Sequence, residues 1–116
     1  MFPAVTWAVQ PVLAGRTAWW AICAVSVLNP LVEEFAYLGF VTNVLRRRGG
    51  VAAIGAAVAA RAAVHLHQGP TPVAGIAALG AAVTIYYYRT RRLWPVVVAH
   101  SLLDFIALVR MNADAR

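Results

Sequence analysis

Two adjacent carboxylates, Glu33 and Glu34, lie in a stretch that is otherwise uncharged and mostly apolar from residue 18 to residue 45. The chain has only four acidic residues, so half of them are in this pair. A carboxylate at the centre of a bilayer costs on the order of 3 kcal/mol on insertion scales, and two side by side repel each other. Such residues indicate a functional site by default. The alternative is a helix end near the membrane surface, where Glu reaches water.

Three further ionisable side chains, His65, His100 and Asp104, are predicted to lie at a similar depth. With a rise of about 1.5 Å per residue, they fall with the glutamate pair in the middle third of a hydrocarbon core about 30 Å thick. His100 and Asp104 are four residues apart and share one helix face. Because each buried polar group needs a partner, these side chains are predicted to line one cavity, where carboxylates and imidazoles could transfer protons.

The composition is that of a membrane protein. Hydrophobic residues make up 62% of the chain and charged residues 12%, with a net charge of +6. Soluble domains are nearer 45–50% apolar and about 25% charged. The arginines cluster at residues 46–48 and 89–92. Clusters at helix ends are typical of topology signals and lipid-headgroup contacts rather than of a nucleic-acid interface. The single cysteine, Cys23, excludes an intrachain disulfide.

The elements that must position these side chains are predicted to be helices. The fold class is an all-α, polytopic transmembrane helix bundle of about four spans plus a short N-terminal segment. The spans are predicted at residues 17–45, 51–67, 73–88 and 94–110. The predicted domains are an N-terminal apolar or interfacial segment (1–16), a membrane core (17–110) and a polar tail (111–116). Pro30 is expected to kink the first span before the glutamate pair, with Asn29 satisfying the backbone carbonyl that this frees.

The loop charges predict an orientation. Both arginine clusters follow odd-numbered spans and therefore lie on one side of the membrane. The positive-inside rule makes that side cytoplasmic. The Ala, Val and Arg bias indicates a GC-rich genome, which favours the plasma membrane of a bacterium.

Three motifs resemble those of the CPBP intramembrane proteases, a family that includes the Rce-type CAAX prenyl endopeptidases and the bacterial Abi, or bacteriocin self-immunity, proteins. Residues 33–40 resemble the Glu-Glu-x-x-x-Arg-Gly motif, and residues 61–65 are found where the family has Phe-x-x-x-His. Residues 93–104 resemble the final motif, His-x-x-x-Asn or His-x-x-x-Asp. The motifs occur in the family's order, each on its own predicted helix, and the resemblance covers about residues 28–108.

Two departures from the motifs fall at similar predicted depth. Leu38 replaces the motif arginine, and Arg61 replaces the motif phenylalanine. One hypothesis is that Arg61 supplies the lost guanidinium from the neighbouring helix, as a supporting residue of the site. The other is that the motif has decayed and the protein is inactive. Glu34 is predicted either as a catalytic residue or as the structural partner of an arginine or of helix-end amides.

The resemblance implies an intramembrane endopeptidase in which Glu33, assisted by His65, activates a water molecule. It implies that His100 and Asp104 form or orient the side of the site that stabilises the oxyanion. No cofactor is favoured, because a carboxylate pair accounts for base chemistry without an ion. The alternative is a divalent metal such as zinc held by Glu33, His65 and His100.

Other interpretations stay open. The same fold could be a catalytically impaired membrane scaffold or a bacteriocin-immunity protein. A small proton or ion carrier is less favoured because the sequence has no inverted repeat. The predicted partners are membrane lipid and a peptide or protein substrate in the membrane. A prenylated CAAX-type tail would be one such substrate. No nucleic acid is expected. A second copy is a further hypothesis, because Gly- and Ala-rich faces let helices approach closely.

Overall fold

The computed structural model describes residues 18–114, in which every regular element is a helix. This confirms the predicted all-α fold class. The principal helices are α1 (Trp19–Glu34), α2 (Gly50–Val64), α3 (Pro70–Thr90) and α4 (Trp94–Asp114). The predicted segment at residues 1–16 lies outside the described residues. The first residues of the predicted polar tail continue α4 as far as Asp114.

The first span continues beyond α1 in a changed helical geometry. A π-helix, Phe35–Thr42, is followed by a short α-helical turn, Asn43–Leu45, and a 3-10 turn, Arg46–Arg48. The helix passes through Pro30 without ending there, so the irregularity follows the glutamate pair instead of preceding it. Side chains satisfy carbonyls in the π-helix, because the Thr42 hydroxyl and the Asn43 amide donate to backbone oxygens at 3.0 and 2.7 Å. π-Helical segments are frequent at functional sites.

Helix α2 is the short one of the four. Its 15 residues span about 22 Å, whereas a membrane span needs about 20 residues. It ends at His65, where a 3-10 turn, Leu66–Gln68, leads to Gly69. Gly69 has a φ of 95°, a conformation that only glycine adopts without strain. Among the described residues, three helical segments are long and apolar enough to cross a membrane, namely Trp19–Arg48, α3 and α4.

The four helices pack as two pairs joined by the π-helix. Helix α1 packs on α4, and α2 packs on α3, while the π-helix lies against both α2 and α3. Leu38 in the π-helix, Tyr87 in α3 and Val96 in α4 form the buried apolar cluster. Many other large apolar side chains are exposed on the outer faces, as expected where lipid replaces water around a bundle.

Both arginine clusters lie at the same end of the bundle. An Arg46 Nη2–H donates to the backbone carbonyl of Tyr88 at 2.8 Å, and its guanidinium carbon is 4.1 Å from the centre of that ring. Arg91 lies 3.5 Å from the Asn43 side-chain oxygen. The structure therefore joins the two basic loops, and the cytoplasmic orientation of this end stays a prediction.

Candidate active site

A cavity of about 170 Å³ lies between the helices. Five of the polar side chains singled out in the sequence line it, namely Glu33, Glu34, Arg61, His65 and His100. Its other walls are apolar and come mainly from α3 and α4. Asp104 is not in the wall itself, but its carboxylate lies 3.5 Å from the ring of His100. The structure thus brings the predicted site residues of three helices to one place.

Glu34 is the most heavily bonded of these side chains. It is 1% exposed and accepts two hydrogen bonds from Arg61, from Nη1 at 2.9 Å and from Nη2 at 2.7 Å. Such a bidentate pair is among the stronger interactions between side chains. The Nδ1–H of His100 donates to the same carboxylate at 2.7 Å. Glu34 therefore ties α1 to α2 and α4, and both of its oxygens are occupied.

His100 lies between two carboxylates. Its Nδ1 is bonded to Glu34, and its Nε2 faces Asp104 at 3.5 Å. This second contact is at ion-pair distance, without the short hydrogen bond that Nδ1 makes. The ring is therefore fixed through one nitrogen, while the other nitrogen is available to a group that enters the cavity.

The carboxylate of Glu33 has fewer hydrogen-bond partners than that of Glu34. Glu33 is half-buried and, among the described residues, its carboxylate accepts one hydrogen bond, from the Asn29 amide at 3.3 Å. The same amide nitrogen lies 3.4 Å from the carboxylate of Asp104. Since no arginine contacts Glu33 within residues 18–114, its second oxygen is not committed to a cation.

His65 is held through one of its two ring nitrogens. Its Nδ1 lies 2.7 Å from the backbone oxygen of Arg61. A carbonyl oxygen only accepts, so Nδ1 carries the hydrogen and the lone pair of the neutral ring is on Nε2. In a continuing helix the backbone N–H of His65 would donate to the Arg61 carbonyl. Here the ring bonds to that carbonyl, and the backbone N–H of His65 donates to the Ala62 carbonyl at 3.0 Å. His65 and Glu33 share the cavity without a direct hydrogen bond in the described structure.

The residues predicted to hold a metal do not form a ligand set here. In the part of the chain that the structure describes, no group of three or more His, Cys, Asp and Glu side chains could hold a metal ion. Of the three predicted ligands, His100 directs Nδ1 to Glu34, whereas Glu33 is bonded to Asn29. In this arrangement His100 and Glu33 are bonded to other side chains, and a metal held by Glu33, His65 and His100 stays an untested alternative.

The two motif departures occupy complementary environments. Leu38 is fully buried in the apolar cluster, where a leucine packs well. The Arg61 side chain is 8% exposed, and its guanidinium lies 4.8 Å from the centre of the Tyr37 ring. Gly80 of α3 makes room for it, since a Cβ at that position would be 3.0 Å from Arg61 Cδ. The guanidinium thus reaches Glu34 from α2 instead of from the π-helix.

We expect Gly80→Ala to destabilise the protein by about 1–3 kcal/mol, the usual cost of overpacking. The new methyl group would push Arg61 away from Glu34. Thermal unfolding in detergent measures the effect, and Gly75→Ala is the matched control on the same helix, with nothing within 4 Å of the added Cβ. The control should be neutral or slightly stabilising, because alanine favours helices by about 1 kcal/mol over glycine. Equal effects of the two substitutions would contradict the close fit at Gly80.

Sequence reasoning missed two contributors to this site. The sequence predicts that Asn29 satisfies a backbone carbonyl near Pro30, but in the structure its amide contacts Glu33 and Asp104. Its spacing of four residues from Glu33 was a usable signal, because such residues are neighbours on a helix. The role of Gly80 left no signal of its own, since glycine in a membrane helix normally indicates close helix packing.

One comparison with known proteins gave a match. The family model described as type II CAAX prenyl endopeptidase Rce1-like matches residues 15–106, which includes all the site residues above. No curated protein matches the chain, and no solved structure matches it.

Proposed function

The chain belongs to the Rce1-like family of type II CAAX prenyl endopeptidases, and we propose that it hydrolyses a peptide bond of a membrane-associated substrate within its own cavity. The match confirms the resemblance to the CPBP proteases. With three helical segments among its described residues able to span a bilayer, the chain is an integral membrane protein of a protease family.

The unequal bonding of the two glutamates carries the proposal. Glu34 is saturated by Arg61 and His100, so it anchors the site. Glu33 has no cationic partner among the described residues and faces the same cavity as His65. A general base must hold a free lone pair within reach of the water it activates. Glu33 meets that requirement, and the Nε2 lone pair of His65 supplies a second acceptor to orient the water.

The proposed reaction needs no group beyond these side chains and water. Glu33 takes a proton from the water as its oxygen attacks the carbonyl carbon of the scissile bond. The resulting oxyanion is stabilised by an N–H donor. His100 supplies it from Nε2 in its protonated, imidazolium form, in which Nδ1–H stays bonded to Glu34. The carbon–nitrogen bond then breaks, and the proton on Glu33 passes to the leaving amine. Glu34 and Arg61 hold His100 in position throughout.

The substrate is proposed to be a peptide with an apolar attachment. The cavity wall formed by α3 and α4 is apolar, with Leu79 and Leu103 both more than half exposed. A prenylated CAAX-type tail has this chemistry, and so does a membrane-embedded peptide. We further propose a bacterial plasma membrane as the location, with the arginine-rich end in the cytoplasm.

A second candidate function rests on Leu38. The buried leucine at the motif arginine position would also suit a scaffold or bacteriocin-immunity protein that has kept the fold and lost cleavage. The uncommitted carboxylate of Glu33 in the cavity with His65 favours the protease, whereas either protein would need the Arg61–Glu34 pair for stability.

The test is cleavage of fluorogenic prenylated and unprenylated peptides by the purified protein in detergent, with and without a chelator. We expect cleavage that persists in the chelator and is lost in Glu33→Ala. Loss of cleavage in the chelator would replace the proposed mechanism with a metal-dependent one. No cleavage of any peptide would favour the scaffold function, with Leu38 as the first residue to examine.

A further inference from the structure

Asn29 bridges two carboxylates that belong to different helices. Its side-chain nitrogen lies 3.3 Å from Glu33 Oε1 on its own helix and 3.4 Å from Asp104 Oδ2 on α4. An amide NH₂ group has two hydrogens, so one can be directed to each carboxylate. Both hydrogens of the Asn29 NH₂ group can therefore have an acceptor, although Asn29 itself is an exposed residue.

The bridge brings together groups that would otherwise repel. Glu33 Oε1 and Asp104 Oδ2 are bonded to the same nitrogen, so the distance between them cannot exceed the sum of the two hydrogen-bond lengths. Like charges at such separations disfavour each other. Among residues 18–114, Arg61 is the one arginine that lines the cavity, and it is bonded to Glu34 and not to this pair. The neutral amide is therefore the group that holds Glu33 and Asp104 together from the side of α1.

We propose that Asn29 is a positioning residue for the reaction, acting through Glu33 and Asp104. By fixing Oε1 of Glu33, it leaves Oε2 to face the water in the cavity. By holding Oδ2 of Asp104, it keeps Oδ1 beside Nε2 of His100. This role deepens the proposed function and rests on it, because Glu33 needs orienting only if it acts as the base.

The proposed role of Asn29 requires a short, uncharged side chain that donates hydrogen bonds. Leucine has nearly the same shape but donates nothing, and aspartate has the same shape but adds a third negative charge. Glutamine keeps the NH₂ group on a longer arm. Comparison of Asn29→Leu, Asn29→Asp and Asn29→Gln therefore separates the effects of side-chain shape, negative charge and hydrogen-bond donation.

The experiment measures kcat, KM and thermal unfolding of the full chain in detergent, with a fluorogenic prenylated peptide as substrate. Asn29→Leu is expected to lower kcat about 10- to 100-fold with KM unchanged, since a displacement of about 1 Å of a reacting group can cost about 100-fold. Asn29→Asp should lower kcat further and also reduce the unfolding temperature relative to Asn29→Leu. Asn29→Gln should recover part of the rate.

The matched control is Asn43→Leu, the same change at another asparagine of the first span. Its amide donates to the Tyr87 hydroxyl at 2.9 Å, remote from the catalytic groups. This variant should unfold at a lower temperature with kcat near that of the natural chain. Natural rates in Asn29→Leu and Asn29→Asp would overturn the positioning role.

The failure of the proposed function would be distinguishable from the failure of the bridge. If the natural chain cleaves no peptide, the proposed function and the positioning role fail together. The unfolding temperatures still report on the bridge in that case. A lower value for Asn29→Asp than for Asn29→Leu supports the amide between two carboxylates, and equal values overturn it.

Discussion

Glu33→Gln is expected to lower kcat by about 100- to 10,000-fold, the contribution that a general base typically makes. Glutamine has the size of glutamate and still accepts a hydrogen bond from Asn29, but it cannot take the proton from water. Because Glu33 is half-buried and has no cationic partner among the described residues, the unfolding temperature should change little. Steady-state cleavage and thermal unfolding of the same detergent preparation provide the two readouts.

The neighbouring substitution, Glu34→Gln, is the control. It also removes one negative charge from the pair, but it leaves the buried guanidinium of Arg61 without its carboxylate. Breaking a buried ion pair by removing one partner costs about 3–5 kcal/mol. Activity should therefore be lost because the protein unfolds. If Glu33→Gln cleaves at the natural rate, Glu33 is not the base, and another group of the cavity must activate the water.

The second large effect is expected at Arg61. Arg61→Phe leaves Glu34 buried with His100 as its remaining partner, which should destabilise the fold by about 3–5 kcal/mol. Arg61→Lys should be intermediate, because lysine keeps the charge but cannot form the two parallel hydrogen bonds. The midpoint of thermal unfolding, measured beside cleavage, ranks the variants.

The double variant Leu38→Arg, Arg61→Phe tests whether the guanidinium has exchanged helices. It places an arginine at residue 38 and a phenylalanine at residue 61, as in the family motifs. We expect it to be more stable than Arg61→Phe alone and to recover cleavage. A double variant that is inactive where the natural chain is active would refute the exchange, and Leu38 would then be a sign of decay in the motif.

The sequence by itself determined the class of protein and predicted the depth of its polar groups. A composition of 62% hydrophobic residues indicates an environment that can solvate apolar surface. Backbone polar groups there must be paired within helices or closed barrels, and the long apolar stretches indicate helices. The rise per residue then fixes the height of Glu33, His65 and His100 along their helices. These arguments use only the chain axis, so they do not depend on how the helices are rotated or paired.

The tertiary structure decided which partner each polar group has. Glu33 and Glu34 are adjacent in sequence, yet on a helix consecutive side chains point about 100° apart. That rotation directs Glu34 to Arg61 and His100, and leaves Glu33 with Asn29. The π-helix that follows changes the rotation again, so the direction of the Leu38 side chain could not be read from motif spacing. Helix rotation and the choice of neighbouring helix depend on side chains far apart in the chain, which is why the different bonding of the two glutamates appears only in the folded molecule.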